Sequence, residues 1–374
     1  MENEKNITVL GIGRLGLCFA LTLERGGYNV VGYDIRKDYV CSIENKTLKS
    51  YEPGVEQYLL EAENFRPTTD LEEAINHANI LFILVRTTSL PDGKYDTSQV
   101  EKLLEAIEKH GRVKSKHLVI SCNVNPGYSD AVQKRMKKFG YIVSYNPEWV
   151  AQGRILKDQA YPDLVVIGQA NKEAGDVIEQ IYKNICKSNP KIHRMDRLSA
   201  EITKVSLNCF LSTKLSYANM IGEIALKSGV SPDPILAAIG DDSRINPKYF
   251  KYGFGYGGPC LPRDTRAMVN YANKIGINPS IIKAVMEVNK SHLAFQIEQF
   301  VKKHDKNKPV VIDSVTYKPG TVIIEESQQL LFAVEIAKRG YKVIIREHPE
   351  VIRQVKALYG NLFVYEEREY KEYN

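Results

Sequence analysis

One segment of this sequence concentrates residue types that do chemistry: Gly253-Phe-Gly-Tyr-Gly-Gly-Pro-Cys-Leu-Pro-Arg-Asp264. Four glycines in six residues leave a backbone that other atoms can approach closely. Cys260 stands two residues past the last of them. Pro262 and Asp264 then read as the first turn of a helix running through 265–273. A thiol at that end faces unpaired N–H groups and the positive pole of the helix dipole, which favour the thiolate. The segment reads either as a nucleophile presented from a glycine bed or as a tight turn with an inert cysteine. Which of the two holds depends on the partners that the rest of the chain supplies.

Four further patterns bear on that choice. Gly11-Ile12-Gly13-Arg14-Leu15-Gly16 follows a short apolar strand and opens a helix, and Asp34 ends the next strand, 18 residues after Gly16. In that setting the glycines admit a dinucleotide pyrophosphate to the helix N-terminus, and the acid takes a ribose 2′-hydroxyl. Asp34 would repel a 2′-phosphate, which favours NAD over NADP, with Arg36 nearby as a counterweight. Lys204 and Asn208 lie four apart on a helical stretch and share a face, where an ammonium and an amide could steady a developing oxyanion, although on the helix alone a solvated lysine capping an otherwise packed face is the better reading. Glu148, in Asn146-Pro-Glu-Trp149, follows a strand where doubly wound sheets place ligands, and reads equally as a loop carboxylate in water. Arg244 and the run Tyr249-Phe250-Lys251-Tyr252 suit a base and phosphates or, equally, an ordinary surface turn. His193, His292 and His348 show no metal-ligand spacing and receive no role.

The elements that must position these groups follow from patterning. Near-continuous apolar runs at 7–10, 29–33, 80–85, 117–121, 142–145 and 164–168 read as strands buried on both faces. Their alternation with helical segments means an α/β, Rossmann-type doubly wound, mainly parallel sheet over 1–195. From 196 to 303 the pattern is helical, with one long helix from about 201, a helix begun by Ser231-Pro-Asp-Pro, and another over 279–303. Residues 304–374 read as a short C-terminal α/β part with strands at 310–313, 343–345 and 362–365 and helices at 328–339 and 350–358. The charged tail at 366–374 reads as a solvated end.

Composition agrees with this. The 374 residues are 43% apolar and 26% charged, ordinary for a globular chain of two or three domains. No apolar run reaches the length of a membrane span, and the charged N-terminus is unlike a signal peptide. The six cysteines, at 18, 41, 122, 186, 209 and 260, are scattered without a C-x-x-C pair, which indicates no zinc site or disulfide framework and suits a reducing cytoplasm. A net charge of +6 without a long basic run fits small anionic molecules and argues against nucleic acid.

Taken together the motifs resemble one family, the UDP-glucose/GDP-mannose dehydrogenases, and within it bacterial UDP-glucose 6-dehydrogenases. The resemblance runs in order over nearly the whole chain: the fingerprint, Tyr51-Glu-Pro-Gly-Val-Glu56, Val85-Arg-Thr87 with Asp92 and Asp96, Asn146-Pro-Glu148, Glu201-x-x-Lys-x-x-x-Asn208, Asp242-Ser-Arg-Ile245, the Cys260 loop and Tyr317-Lys-Pro-Gly-Thr321. It implies an NAD-dependent four-electron oxidation of a nucleotide sugar, UDP-glucose to UDP-glucuronate, with Cys260 as nucleophile. Lys204 and Asn208 would steady the oxyanion, and Asp264 and Glu148 would handle water and protons. Gly11 to Gly16, Asp34 and Thr87 would hold NAD, joined by Asn123, Gln152 and Arg263. Tyr249 to Gly253, Gly257, Lys318 and Trp149 would hold the nucleotide sugar. The long helix would form a homodimer core, with Arg244 reaching a partner's substrate.

The chain departs from the family at several of these positions. Asn123 stands for the usual Thr, and Trp149-Val-Ala151-Gln152 for Phe-Leu-Arg-Glu. Arg263 replaces a lysine, Glu325 an arginine, Tyr39 a basic residue and Leu164 an arginine, and the third part lacks the usual final strand and helix. The Cys260, Lys204, Asn208 and Asp264 set is intact. Three other readings compete: a different UDP- or GDP-hexose or HexNAc as substrate, a two-electron β-hydroxyacid dehydrogenase, and a nucleotide-sugar-binding module without turnover.

Overall fold

The structure, a computed structural model, describes residues 5–368; positions 369–374 of the charged tail and 1–4 of the N-terminus lie outside the described residues. The chain forms two compact units, one ending at Lys204 and one beginning at Val205.

The first unit is the expected α/β layer structure. Its strands are β1 (Asn6–Leu10), β2 (Asn29–Tyr33), β3 (Phe65–Thr68), β4 (Ile80–Ile83), a two-strand hairpin of β5 (Thr88–Ser89) and β6 (Tyr95–Asp96), then β7 (Lys116–Ile120), β8 (Tyr141–Tyr145), β9 (Leu164–Gly168) and β10 (Lys191–Met195). The main sheet has the order β10-β9-β8-β7-β4-β1-β2-β3. Its pairs are parallel except β8 with β9, which meet antiparallel at Tyr145 and Gly168. Ile7, Val9, Leu10, Leu81, Phe82, Ile83, Leu118, Val119 and Ile120 are fully buried, because helices cover both faces. The reversal of strand order beside β1 puts the carboxyl ends of β1 and β4 at the crevice where such sheets bind ligands.

Sequence patterning overlooked β3 and β10. Phe65-Arg-Pro-Thr68 carries a proline and a charge, and Lys191-Ile-His-Arg-Met195 alternates polar residues. Each sits at a sheet edge, where a strand needs neither a continuous apolar run nor every ladder hydrogen bond.

One helix spans Arg197–Lys227, and the division between units falls inside it. Its first two turns are tied to the sheet unit. Arg197 donates to Asp130 and to the Val143 carbonyl, and the Glu201 carboxylate accepts from the backbone N–H groups of Gly127 and Ser129. We propose a functional division into three parts, 1–195, 196–303 and 304–374.

The second unit continues that helix, then adds helices Pro232–Gly240, Leu261–Lys274 and Ser280–Lys303. A three-stranded parallel sheet follows, β11 (Val310–Ile312), β12 (Val343–Glu347) and β13 (Val364–Glu367), with β12 central. Helices Gln328–Lys338 and Pro349–Tyr359 connect the strands. Ile297 packs with Leu330, Ile336, Val343, Ile345, Val351 and Val355 in one core. The last strand begins two residues later than patterning suggests, because Gly360–Leu362 makes a helical turn first.

Candidate active site

In the first unit the fingerprint builds a bare helix end. Gly16 is held so close to the preceding turn that a Cβ there would lie 1.9 Å from the Gly11 carbonyl oxygen. The helix Arg14–Arg25 thereby starts directly on the end of β1. Gly13 is its N-cap, with no side chain capping the free N–H groups and no acid in the first turn. A Cβ added at Gly13 would meet nothing nearer than the Arg36 guanidinium, at 4.0 Å. Free N–H groups, a positive dipole end and open space are what a pyrophosphate requires, so the residues present fit a dinucleotide. Ile12 is fully buried and Leu15 half-buried, anchoring the turn in the core.

Asp34 directly follows β2 and is buried. Arg36 grips it with a fork: Nε donates to Oδ1 and Nη2 to Oδ2, each at 2.9 Å, and the Arg36 backbone N–H adds a third bond at 3.1 Å. The guanidinium also lies over the Tyr39 ring, 4.0 Å from its centroid. Arg14 of the fingerprint donates to the Gln152 side-chain carbonyl at 2.8 Å, which brings together two residues expected at the cofactor. Thr87 is buried and Asn123 half-buried, just after β4 and β7 respectively.

Glu148 and Lys204 meet through the Glu148 backbone. Lys204 donates from Nζ to the backbone carbonyl of Glu148 at 2.7 Å and lies 4.4 Å from the centroid of the Trp149 ring. It is buried, so it is no solvated lysine. The Glu148 carboxylate accepts from Gln159 Nε2 at 3.1 Å and from the Tyr182 hydroxyl at 3.2 Å. Burial raises its pKa, opposed by those two donors and by the Lys204 charge. The Tyr182 hydroxyl also points at the Asn146 side-chain oxygen, 2.8 Å away. One hydroxyl proton cannot serve both acceptors, and a protonated Glu148 removes the shortfall by donating to the phenol oxygen. Gln159 and Tyr182 have no motif signature, and sequence reasoning missed them.

In the second unit Cys260 is exposed and forms the N-cap of the helix Leu261–Lys274. One turn on, Asp264 is completely buried, and its backbone N–H donates to the Cys260 carbonyl at 2.9 Å. Asn208 donates to Asp264 Oδ2 at 2.5 Å, and Arg263 Nε lies 3.3 Å from Oδ1. A second thiol, Cys209, is buried against the Asp264 carbonyl, and burial, then the Asp264 charge, pushes its pKa up to about 12. The two thiols nearest Asp264 in this unit therefore divide into an inert one and an accessible one.

The glycine loop is fitted to its surroundings. Gly258 has φ +81°, and a Cβ there would lie 2.3 Å from the Tyr317 ring. Its N–H donates to the Glu325 carbonyl at 3.1 Å. The Glu325 side chain is exposed, while its neighbour Glu326 pairs with Arg266 at 2.7 Å. The loop backbone is also held by a polar stripe that sequence reasoning missed. Asn289 donates to and accepts from the peptide groups of Tyr256, and His292 and Gln296 reach the Gly253 carbonyl. The signal was there in the spacing of 289, 292 and 296, which shares one helical face, but a histidine without metal-ligand partners attracted no role.

The remaining expected substrate residues differ in setting. Tyr249 is half-exposed with φ +61°, a left-handed conformation that non-glycine residues seldom adopt. Phe250 is buried with Ala218 and Leu236, and Tyr252 packs its ring on Gly222 and, edge-on, on His292. Lys251 is exposed, and Arg244 is 85% exposed in a fork with its own Asp242. Thr316 and Thr321 donate to the Lys318 carbonyl.

A fingerprint turn on a doubly wound sheet, with a helix-capping thiol elsewhere in the chain, defines a dinucleotide-dependent oxidoreductase. The chain belongs to the UDP-glucose/GDP-mannose dehydrogenase family: the NAD-binding domain of that family matches residues 5–186 and its central domain residues 198–291. It is thus an NAD-dependent dehydrogenase of the nucleotide-sugar type. It is 28% identical over 360 residues to the UDP-glucose 6-dehydrogenase of Pseudomonas aeruginosa, covering 92% of this chain and 79% of that one. The structure of a UDP-glucose dehydrogenase from Pyrobaculum islandicum matches with a TM-score of 0.89 and 29% identity, over 97% of this chain and 86% of the other. A UDP-D-ManNAc dehydrogenase from Pyrococcus horikoshii shares the fold, with a TM-score of 0.78 and 24% identity over 91% and 83%. Among the described residues no helix is long and apolar enough to cross a membrane, and no group of three His, Cys, Asp or Glu could hold a metal ion.

Proposed function

We propose that this protein oxidises the C6 alcohol of UDP-glucose to a carboxylate in two hydride transfers, with Cys260 as the covalent nucleophile. The observation that carries the reading is the arrangement of an exposed Cys260 capping a helix whose next turn presents a buried Asp264 bonded to Asn208. NAD, when bound at the fingerprint, accepts the hydride. The chain's residues do the rest. The alcohol loses a hydride and a proton to give an aldehyde. The Cys260 thiolate adds to that carbonyl, and the oxyanion takes a proton, giving a thiohemiacetal. Loss of a second hydride and proton leaves a thioester, and water cleaves it to the acid and the free thiol. Each turnover consumes one sugar, two NAD and one water and yields the acid, two NADH and two protons.

Lys204 and Asn208 would stabilise the oxyanion, and Asp264 and Glu148 would move protons to and from the alcohol and the water. Gly11, Gly13, Gly16, Asp34, Thr87, Asn123, Gln152 and Arg263 would hold the cofactor. Trp149, Tyr249 to Gly253, Gly257 and Lys318 would hold the nucleotide sugar. Purified protein given UDP-glucose and NAD should form two NADH per sugar and an acid product by mass spectrometry. One NADH per sugar with an aldehyde product would sink the four-electron assignment. A panel of UDP- and GDP-hexoses and HexNAc sugars ranked by kcat/KM decides the sugar.

The same reading includes a cytoplasmic homodimer built on the long helix, with Arg244 reaching the partner's substrate. Phe210, Tyr217 and Ile224 recur every seven residues on that helix and are 61%, 47% and 56% exposed, with Met220 beside them. A recurring apolar stripe of this kind on a helix supports burial against a second copy. A monomer by light scattering at micromolar concentration would remove the dimer from the proposal.

A further inference from the structure

Gly253 is the first glycine of the loop, and three side chains hold its peptide groups. Asn219 accepts its N–H at 3.0 Å. Its carbonyl accepts from His292 Nε2 at 2.7 Å and from Gln296 Nε2 at 3.0 Å. His292 is completely buried, and its other nitrogen, Nδ1, lies 2.6 Å from a Glu223 carboxylate oxygen. Both ring nitrogens therefore face acceptors.

A neutral imidazole carries one N–H and can meet only one of these. Both contacts are made only when the pair holds a second proton, either on the ring or shared between Nδ1 and Glu223. The titratable groups facing the ring are Glu223 from the long helix and Tyr252 from the loop, whose ring edge stands 5.5 Å off. Burial, then the Glu223 charge, pushes the Tyr252 phenol up, so it stays neutral and does not compete for the proton.

We propose that His292 is a positioning residue that latches the glycine loop through the Gly253 carbonyl, and that the latch is complete only while the His292–Glu223 pair keeps its second proton. The inference rests on the reading that Tyr249 to Gly253 and Gly257 grip the nucleotide sugar. Loss of that proton leaves one N–H for two acceptors. One ring nitrogen then turns a lone pair toward an acceptor, and the loop loses its shortest tether. Without the complete latch the protein holds substrate less well, with KM rising while kcat at saturation moves less.

Amide hydrogen exchange of peptides covering 250–262, corrected for intrinsic rates, reads the latch without substrate or turnover. In the wild-type chain protection should fall about tenfold from low to high pH, the scale of one unmet buried hydrogen bond. Glu223→Gln is the discriminating variant. Its amide N–H can donate to Nδ1 while Nε2–H stays on the Gly253 carbonyl, so the neutral ring satisfies both sides and protection becomes flat with pH. His292→Leu should expose the loop at every pH, with NAD affinity as the check that the first unit remains folded. Identical pH profiles for wild type and Glu223→Gln would overturn the latch, as would wild-type protection in a folded His292→Leu. If protection behaves as described but UDP-glucose gives no NADH, the substrate reading fails and the latch stands. If UDP-glucose is turned over with a KM that neither variant changes, the latch fails and the substrate reading stands.

Discussion

Asn208 donates its amide to the Asp264 carboxylate over 2.5 Å, and that contact joins the long helix to the helix that begins at Cys260. Asp264 is fully buried, and this donor and Arg263 beside it both meet its carboxylate. Asn208→Ala should therefore lower kcat by about 100-fold while NAD affinity is kept, because a buried carboxylate near the thiol loses its donor and its aim. Single-turnover NADH formation measures this. A variant with unchanged kcat would show that Asp264 is held well enough without Asn208.

The cysteines differ sharply in access. Cys260 and Cys41 are exposed, whereas Cys18, Cys122 and Cys209 are buried. Brief treatment with iodoacetamide should modify 41 and 260 first, and activity should fall with modification of 260 alone. A Cys41→Ser background isolates the effect by peptide mass spectrometry. Cys260→Ser should reduce acid formation by about 1,000-fold or more with unchanged thermal stability. Full turnover by that variant would remove Cys260 from the chemistry.

Much of this is legible in the sequence alone. The six apolar strand runs and the glycine fingerprint announce themselves because burial on both faces demands continuous apolar stretches, and a pyrophosphate seat demands glycines at fixed offsets. The boundary strands β3 and β10 were not legible, since an edge strand is free to be polar. Within the candidate site, Cys260, Lys204 and Asn208 were candidates by type and spacing, but each also had an ordinary structural reading, and only the family resemblance supplied their roles and that of Asp264. The groups around them did not stand out. Tyr182, Gln159 and Gln296 act by long-range hydrogen bonds, 34, 11 and 43 residues from their partners, which no local pattern encodes.

Arg36 is a sequence feature whose meaning the geometry sharpens. Both oxygens of Asp34 are already in its fork, so the acid's charge is largely matched before any ribose arrives. Discrimination against a 2′-phosphate by charge repulsion is weakened accordingly. Arg36→Ala should restore it, weakening NADP binding by about tenfold relative to NAD. Quenching of tryptophan fluorescence by each nucleotide, which needs no turnover, gives the two dissociation constants. An unchanged NADP to NAD ratio would mean that Asp34 does not sense the phosphate.

Glu148 ties stability to pH in a direction that can be worked out. Burial raises its pKa above the ordinary 4.5, and the unfolded chain returns it to that value. A carboxyl so shifted adds its full stability below pH 4.5 and loses it as pH rises through the folded value, because the unfolded chain then ionises more easily. Glu148→Gln keeps a neutral group of the same shape and leaves the backbone carbonyl that Lys204 uses. Its melting temperature should exceed that of wild type by on the order of a few degrees at pH 8 and match it near pH 4. If Glu148 also moves protons in turnover, kcat of the variant falls while its stability rises, and the two effects separate a working acid from a packing one. A variant that is less stable than wild type at pH 8 would show that the carboxylate is held ionised by Lys204, Gln159 and Tyr182 after all.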